Sequence, residues 1–368
     1  MFVNHLHDPN DLRYAFNVVW FDELASLNRE YCLLYFTKDQ TIEMIDKRTK
    51  RQFLKRASYP DVKLKNLFLD ATIVIFSRQL RIVSYADQET KEAIENALEQ
   101  GFILIRPEAV DRAGEIIAKL EQESLTISHI KSLALDKESA EVLFSSEKSQ
   151  SSYQEQCQSV ASQMTIAVGY NGRGAISTVN NLFPNFRSRF GISEGKPGMF
   201  IAPDRQYAQN CIRMIFEQRW ISTAMLTNCT CGVILPHAVS EGLIGKILKH
   251  TQENSFMVSA IEMFQLNKAD ATEFYEVYNT VVPECAKMVE ELCNGPLVAF
   301  EVAGTSDDIV MAFREFTGPS DPEVAKTLRP QSLRALFGHD NIKNSVHCTD
   351  LPEDGALESE YFFSILQQ

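Results

Sequence analysis

Cys231-Gly232-Val233-Ile234-Leu235-Pro236-His237-Ala238-Val239, followed by Leu243-Ile244-Gly245-Lys246-Ile247-Leu248-Lys249, reads as an apolar strand that runs into a proline and then a helix. The same arrangement stands 129 residues upstream. There Phe102-Ile103-Leu104-Ile105-Arg106-Pro107-Glu108-Ala109-Val110 precedes Gly114-Glu115-Ile116-Ile117-Ala118-Lys119-Leu120. An offset of that size is one small domain, not a solenoid unit. Each copy continues with a further strand (Leu125–Leu135 and Phe256–Leu266), a helical stretch, and another strand (Met164–Gly169 and Pro296–Val302). Strands alternating with amphipathic helices predict an α/β sandwich for each copy.

Upstream of the repeat, residues 14–85 read as all-β. Short β-branched and aromatic segments (Phe16–Trp20, Tyr31–Phe36, Thr41–Ile45, Ala71–Phe76, Leu80–Tyr85) alternate with polar turns, which predicts a small barrel or sandwich. Its unusual feature is Lys47-Arg48-Thr49-Lys50-Arg51-Gln52-Phe53-Leu54-Lys55-Arg56, with six basic residues in ten. Two readings stand: a solvated hairpin edge kept from pairing by its charges, or a contact to an acidic partner. Asp87–Glu99 carries Ala93, Ile94, Ala97 and Leu98 at helical spacing and predicts a connecting helix. The chain thus divides into a β module (1–90), a connecting helix (91–100), a first α/β copy (101–228) and a second (229–368).

The 368 residues, 45% apolar and 23% charged, suit folded globular domains and exclude a small peptide or a disordered chain. A net charge of −13 argues against a nucleic-acid coat, and no apolar run reaches the length of a membrane span, so neither nucleic acid nor membrane is an expected partner. The acidity is localised: residues 229–368 hold 21 Asp and Glu against 9 Lys and Arg. The eight cysteines lack zinc-knuckle or Cys-x-x-Cys spacing, so no metal site is expected. Reduced thiols and an N-terminus without a leader pattern lead to the expectation of a cytoplasmic chain. Tyr170-Asn171-Gly172-Arg173-Gly174 lacks the Gly-Lys-Ser/Thr of a phosphate loop and reads as a turn.

The chemistry concentrates in the second copy. His347 ends an apolar-flanked strand, Arg314 and Arg334 lie upstream at loop ends, and Glu358 follows eleven residues later on a predicted helix. An imidazole nitrogen attacks a γ-phosphate and holds it as a phosphoramidate, which splits one transfer into two easier ones. A carboxylate on the other nitrogen fixes the tautomer, and arginines spread over the phosphate oxygens. From these residues alone, a purely structural histidine stands beside that reading.

The pattern Arg329-Pro330-Gln331-Ser332-Leu333-Arg334-Ala335-Leu336-Phe337-Gly338, then Asn344-x-x-His347-x-Thr349-Asp350, resembles the nucleoside diphosphate kinase family. The layout resembles that family's ciliary branch, with two tandem kinase-like domains behind an N-terminal DM-ten module matched by Phe53-Leu54-Lys55-Arg56 and Phe76-Ser77-Arg78-Gln79-Leu80. The resemblance implies a pleckstrin-homology-like module followed by two ferredoxin-like α/β sandwiches. It puts His347 on the phosphorylated histidine and Glu358 and Thr349 on its orienting partners. Arg314, Ser320, Arg334 and Asn344 fall on groups that hold phosphates and ribose, and Tyr275 falls one residue out of register with a phosphate-contacting tyrosine.

Four positions depart from the family, two in each copy. Leu235 replaces the catalytic lysine, and no base-covering phenylalanine stands near Pro283-Glu284-Cys285. In the first copy, Arg106 takes the lysine's place and Phe200 or Ile201 the histidine's, so that copy is expected to be catalytically dead. Losing one preorganised donor costs ~3–4 kcal/mol, roughly 10²–10³ in rate. The resemblance therefore implies a structural part of the ciliary axoneme, a microtubule inner protein contacting tubulin and other axonemal proteins. The alternative is a weakly active nucleoside diphosphate kinase using Mg-ATP through His347.

Overall fold

A computed structural model of the chain describes residues 12–22, 25–161, 163–190, 197–304 and 309–367, so the N-terminal stretch read for a leader lies outside the described residues. The chain forms two compact units, Met1–Leu98 and Glu99–Gln368.

In the first unit, β1 (Arg13–Asp22), β2 (Leu27–Phe36), β3 (Thr41–Asp46), β4 (Gln52–Ser58), β5 (Thr72–Ile75) and β6 (Arg78–Tyr85) make one antiparallel sheet in the order β4-β3-β2-β1-β6-β5. Alternation along β1 to β3 buries Phe16, Val18, Tyr31, Leu33, Tyr35, Ile42 and Met44 in a common core. The sheet places the basic run on a solvated hairpin edge. Lys47–Arg51 make the turn of the hairpin, and Gln52–Ser58 pair with β3 as the sheet's edge. That edge strand has no clean alternation, because little of it is buried. The helix α1 (Gln88–Ala97) starts where the Asp87 side chain accepts from Thr90 N, and buries Ile94 against the core. It therefore begins before residue 91, and Glu99 and Gln100 already belong to the next strand.

The second unit holds both copies. The first runs β7 (Glu99–Ile105), α2 (Ala113–Gln122), β8 (Thr126–Ala134), α3 (Lys137–Leu143), α4 (Tyr153–Val160), β9 (Met164–Gly172), α5 (Ala175–Phe190), β10 (Met199–Ile201) and α6 (Arg205–Phe216). The second runs β11 (Cys229–Ile234), α7 (Pro236–Ser240), α8 (Ile244–Glu253), β12 (Met257–Phe264), α9 (Lys268–Phe274), α10 (Cys285–Leu292), β13 (Leu297–Ala303), α11 (Ile309–Thr317), α12 (Pro322–Leu328), α13 (Leu333–Phe337), β14 (Val346–Cys348) and α14 (Gly355–Glu360). Within each copy the fourth strand lies beside the first, and the third separates the first from the second, which is the ferredoxin-like order. Tyr170–Gly172 are buried and complete β9, so only Arg173-Gly174 turn, where Gly174 supplies a positive φ.

The two copies share one eight-stranded sheet, β10-β7-β9-β8-β12-β13-β11-β14. The seam between β8 and β12 is short. At Lys131 opposite Glu262, the ammonium donates to the carboxylate at 2.7 Å, and Ile261 N donates to Ser132 Oγ at 2.9 Å. Beneath it α2 and α8 cross so closely that a Cβ on Gly114 would overlap the backbone of Lys249, and one on Gly245 the backbone of Ala118. Glu121 ties the crossing by accepting from Ile244 N and Gly245 N. One core thus runs through both copies, from Ile116 and Ile117 to Ile247, Leu248 and Phe313.

Candidate active site

His347 is the central residue of β14, opposite Val233 on β11. Strand alternation turns it away from the shared core toward α9 and α14. The last helix comes close because Gly355 has no side chain: a Cβ there would overlap Cys229 O. This brings Glu358 to His347, with Nε2 and Oε2 2.9 Å apart, and Thr349 Oγ1 donates to the same carboxylate oxygen at 2.9 Å. A carboxylate only accepts, so Nε2 carries the proton and Nδ1 keeps its lone pair. The ring is buried among Phe274, Tyr275 and Tyr278, with centroids 5.2, 5.6 and 6.3 Å away.

His347 opens onto a cavity of about 520 Å³, within the usual size of a small-molecule site. Arg314, Ser320, Arg334, Asn344 and Tyr275 all line it, so the structure brings those sequence-derived candidates together around His347, while Glu358 and Thr349 stand behind the ring. Arg334, on α13, is buried and spends its guanidinium on carbonyls, with Nε to Val346 O at 3.0 Å and Nη1 to Gly318 O at 2.8 Å. Gly318 takes a positive φ of 87° to present that carbonyl, and a Cβ there would overlap Ser332 Oγ. Arg314, on α11, is half exposed, pairs through Nε with Asp350 at 3.1 Å, and lines the cavity. Asn344 Nδ2 donates to Ser320 O at 3.3 Å, joining the two loops that carry them.

Residues outside the initial candidate set complete the wall. Tyr278 Oη donates to Asp350 at 2.7 Å, and burial together with that acceptor pushes its hydroxyl pKa up. Tyr275, three residues earlier, is also raised by burial. Arg329 lies on the rim and binds Glu315 at 3.0 Å. Asp350 and Arg329 stand inside the motif that carries the resemblance, so proximity to His347 and Arg334 was an available signal. Tyr278 repeats Tyr275 at helical spacing. Leu235 lines the cavity, is buried, and supplies no donor. Beside it His237 gives both N and Nδ1 to Glu291 Oε1, at 3.0 and 2.8 Å.

The first copy has a different interior at the equivalent place. Phe200 pairs with Leu104 on β7 as His347 pairs with Val233 on β11, which resolves the two sequence alternatives in favour of Phe200. Carrying the same spacing forward puts Ala202 where Thr349 stands and Cys211 where Glu358 stands. All three lie in one apolar cluster. Arg106 is fully buried, stacks at 4.3 Å over the Phe144 ring and reaches Glu147 at 3.2 Å, while its Nε and Nη1 have no hydrogen-bond partner. Burial pulls its pKa down and the Glu147 charge opposes that.

The nucleoside diphosphate kinase family profile matches residues 99–190 and 228–367, and the profile of the nucleoside diphosphate kinase 7 N-terminal PH domain matches residues 8–96. Among relatives, "Nucleoside diphosphate kinase homolog 7" of Mus musculus is 40% identical over 372 residues, covering 96% of this chain and 93% of the relative. The Rattus norvegicus protein of the same name is 39% identical, with the same coverage. The nucleoside diphosphate kinase of Aquifex aeolicus is 36% identical over 143 residues, covering 39% of this chain and 99% of the relative. With both copies folded as that sandwich and the second assembling the histidine cavity, the chain belongs to the nucleoside diphosphate kinase family, among its homolog 7 members with an N-terminal PH domain.

Proposed function

We propose that the chain is a structural component of the ciliary axoneme, a microtubule inner protein that contacts tubulin and neighbouring axonemal proteins through kinase folds largely withdrawn from catalysis. The observation that carries this reading is the loss of working parts at both sites: Phe200 replaces the nucleophile in the first copy, and Leu235 replaces a phosphate-neutralising donor in the second. The resemblance to the ciliary branch supplies the location, cytoskeletal within the cilium. The PH module adds a basic surface suited to acidic neighbours, because Arg48, Lys50, Arg51 and Lys55 are exposed on or beside its edge strand. Stepwise salt extraction of axonemes tests the reading. Retention through low salt is the expected outcome, and release with the soluble matrix at low salt overturns it.

A second reading, a weakly active nucleoside diphosphate kinase with Mg-ATP as phosphate donor, is favoured by the geometry at His347. The nucleophile's tautomer is fixed by Glu358, its Nδ1 lone pair is available, and arginines line the cavity it faces. Binding without efficient turnover is compatible with the structural role. Thermal denaturation of the whole chain with ADP or GDP separates the two parts: a rise in Tm with ligand concentration is expected from an occupied cavity, and its absence removes nucleotide from the account.

A further inference from the structure

The cavity beside His347 contains four acidic side chains: Glu284, Glu291, Glu315 and Asp350. Three are occupied. Glu291 accepts from His237, Glu315 from Arg329, and Asp350 from Arg314 and Tyr278. Glu284 is different: among the described residues its carboxylate makes no hydrogen bond or ion pair, and although it stands at the N-cap of α10 its side chain does not cap that helix. The cavity that Glu284 lines also has apolar side chains in its wall, Val282, Met288, Met311 and Ile342.

A ligand for this cavity must therefore satisfy two opposite demands. Toward His347 and the arginines it must be anionic. Toward Glu284 it must offer hydrogen-bond donors on a flat apolar body, since an uncompensated carboxylate would repel a ligand that is anionic throughout. On the nucleotide-binding reading above, on which this step rests, the donors belong to the base. Guanine alone of the common bases places two adjacent donors, N1–H and the 2-amino group, where both oxygens of one carboxylate can accept them. Adenine sets its 6-amino group beside the N1 lone pair, cytosine sets its 4-amino group beside the N3 lone pair, and uracil flanks a single N3–H with two carbonyls. We propose that Glu284 is a specificity-determining residue that makes the second kinase-like domain select guanosine diphosphate and triphosphate over other nucleotides.

Calorimetric titration of the full chain with GDP, IDP, ADP and UDP tests the assignment; IDP keeps N1–H but lacks the 2-amino group. A bidentate base contact at a solvent-accessible rim gives about tenfold discrimination. GDP should bind about tenfold more tightly than ADP and UDP, with IDP between. Glu284→Ala should bring GDP to within about twofold of ADP with Tm unchanged, because the Glu284 side chain is exposed and makes no hydrogen bond or ion pair among the described residues. Equal wild-type affinities for GDP and ADP, or a GDP preference that persists in Glu284→Ala, would overturn the role of Glu284 and leave the nucleotide site standing. Failure of all four ligands to bind would overturn the nucleotide reading itself, and this inference with it.

Discussion

Two kinase-like sandwiches sit side by side on one sheet with the same strand order, and at three equivalent positions one carries His347, Thr349 and Glu358 while the other carries Phe200, Ala202 and Cys211. The difference shows that the site's chemistry is not what holds the fold together. In the second copy these side chains form a polar chain beside a cavity. In the first the same positions join an apolar cluster with Phe102, Leu104, Phe144 and Ile215, where they add buried area. The first copy's arginine is the costly remnant. Arg106 holds a charge in a fully buried place with, among the described residues, one carboxylate at ion-pair distance, whereas its counterpart Leu235 packs without electrostatic cost but gives a phosphate nothing.

Among substitutions in the two copies, the largest effect is expected at the crossing that joins them. Gly245→Leu pushes a side chain into the Ala118 backbone and should cost more than ~3 kcal/mol in denaturant unfolding. A loss below about 1 kcal/mol would mean that α2 and α8 do not lock the copies together. Next, Glu147→Ala strands the Arg106 charge and should cost about 3 kcal/mol, at the low end for a buried pair because Glu147 keeps some contact with solvent. The double replacement Arg106→Met with Glu147→Leu should fall within about 1 kcal/mol of the parent. If both variants lose equally, the pair contributes packing rather than a compensated charge.

Phe200→His is a smaller perturbation. It places an imidazole where Ala202 and Cys211 provide no orienting carboxylate, so it should cost about 2 kcal/mol and gain no phosphohistidine. A second labelled histidine would show that the carboxylate is dispensable. The smallest effect belongs to the seam. Burial raises the Glu262 carboxyl above its ordinary value of 4.5, against the pull of Lys131. Its folded form therefore binds the proton more tightly than the unfolded chain does. The resulting stabilisation is complete below about pH 4.5 and is lost as pH rises through the higher folded value. Glu262→Gln should flatten that slope in pH-dependent melting, and an unchanged slope would assign it elsewhere.

Much of this was legible in the sequence. The repeat beginning at Phe102 and Cys231 carried the two sandwiches because strand and helix periodicity is local. The motif around Arg334 and His347 carried the site because its residues cluster within a short span. The rest depended on partners far apart in the chain. Nothing in the pattern of β8 or β12 says that Lys131 will face Glu262, since only one residue pair forms that ladder. The edge strand Gln52–Ser58 was hidden by its charges, and the buried Tyr170–Gly172 by turn-forming residues that here end a strand. Ala202 and Cys211 became counterparts of Thr349 and Glu358 only once strand register settled on Phe200.

The central claim is that the second copy keeps its nucleophile but has lost, at Leu235, the donor that would make it an efficient catalyst. Transfer of label from γ-labelled ATP to acid-labile, base-stable phosphohistidine, compared between wild type, Leu235→Lys and Leu235→Lys with His347→Ala, tests this most directly. The account predicts that Leu235→Lys acquires label roughly 10²–10³ times faster than wild type and that removing His347 abolishes it. Wild type labelling as fast as Leu235→Lys, or label persisting without His347, would contradict it.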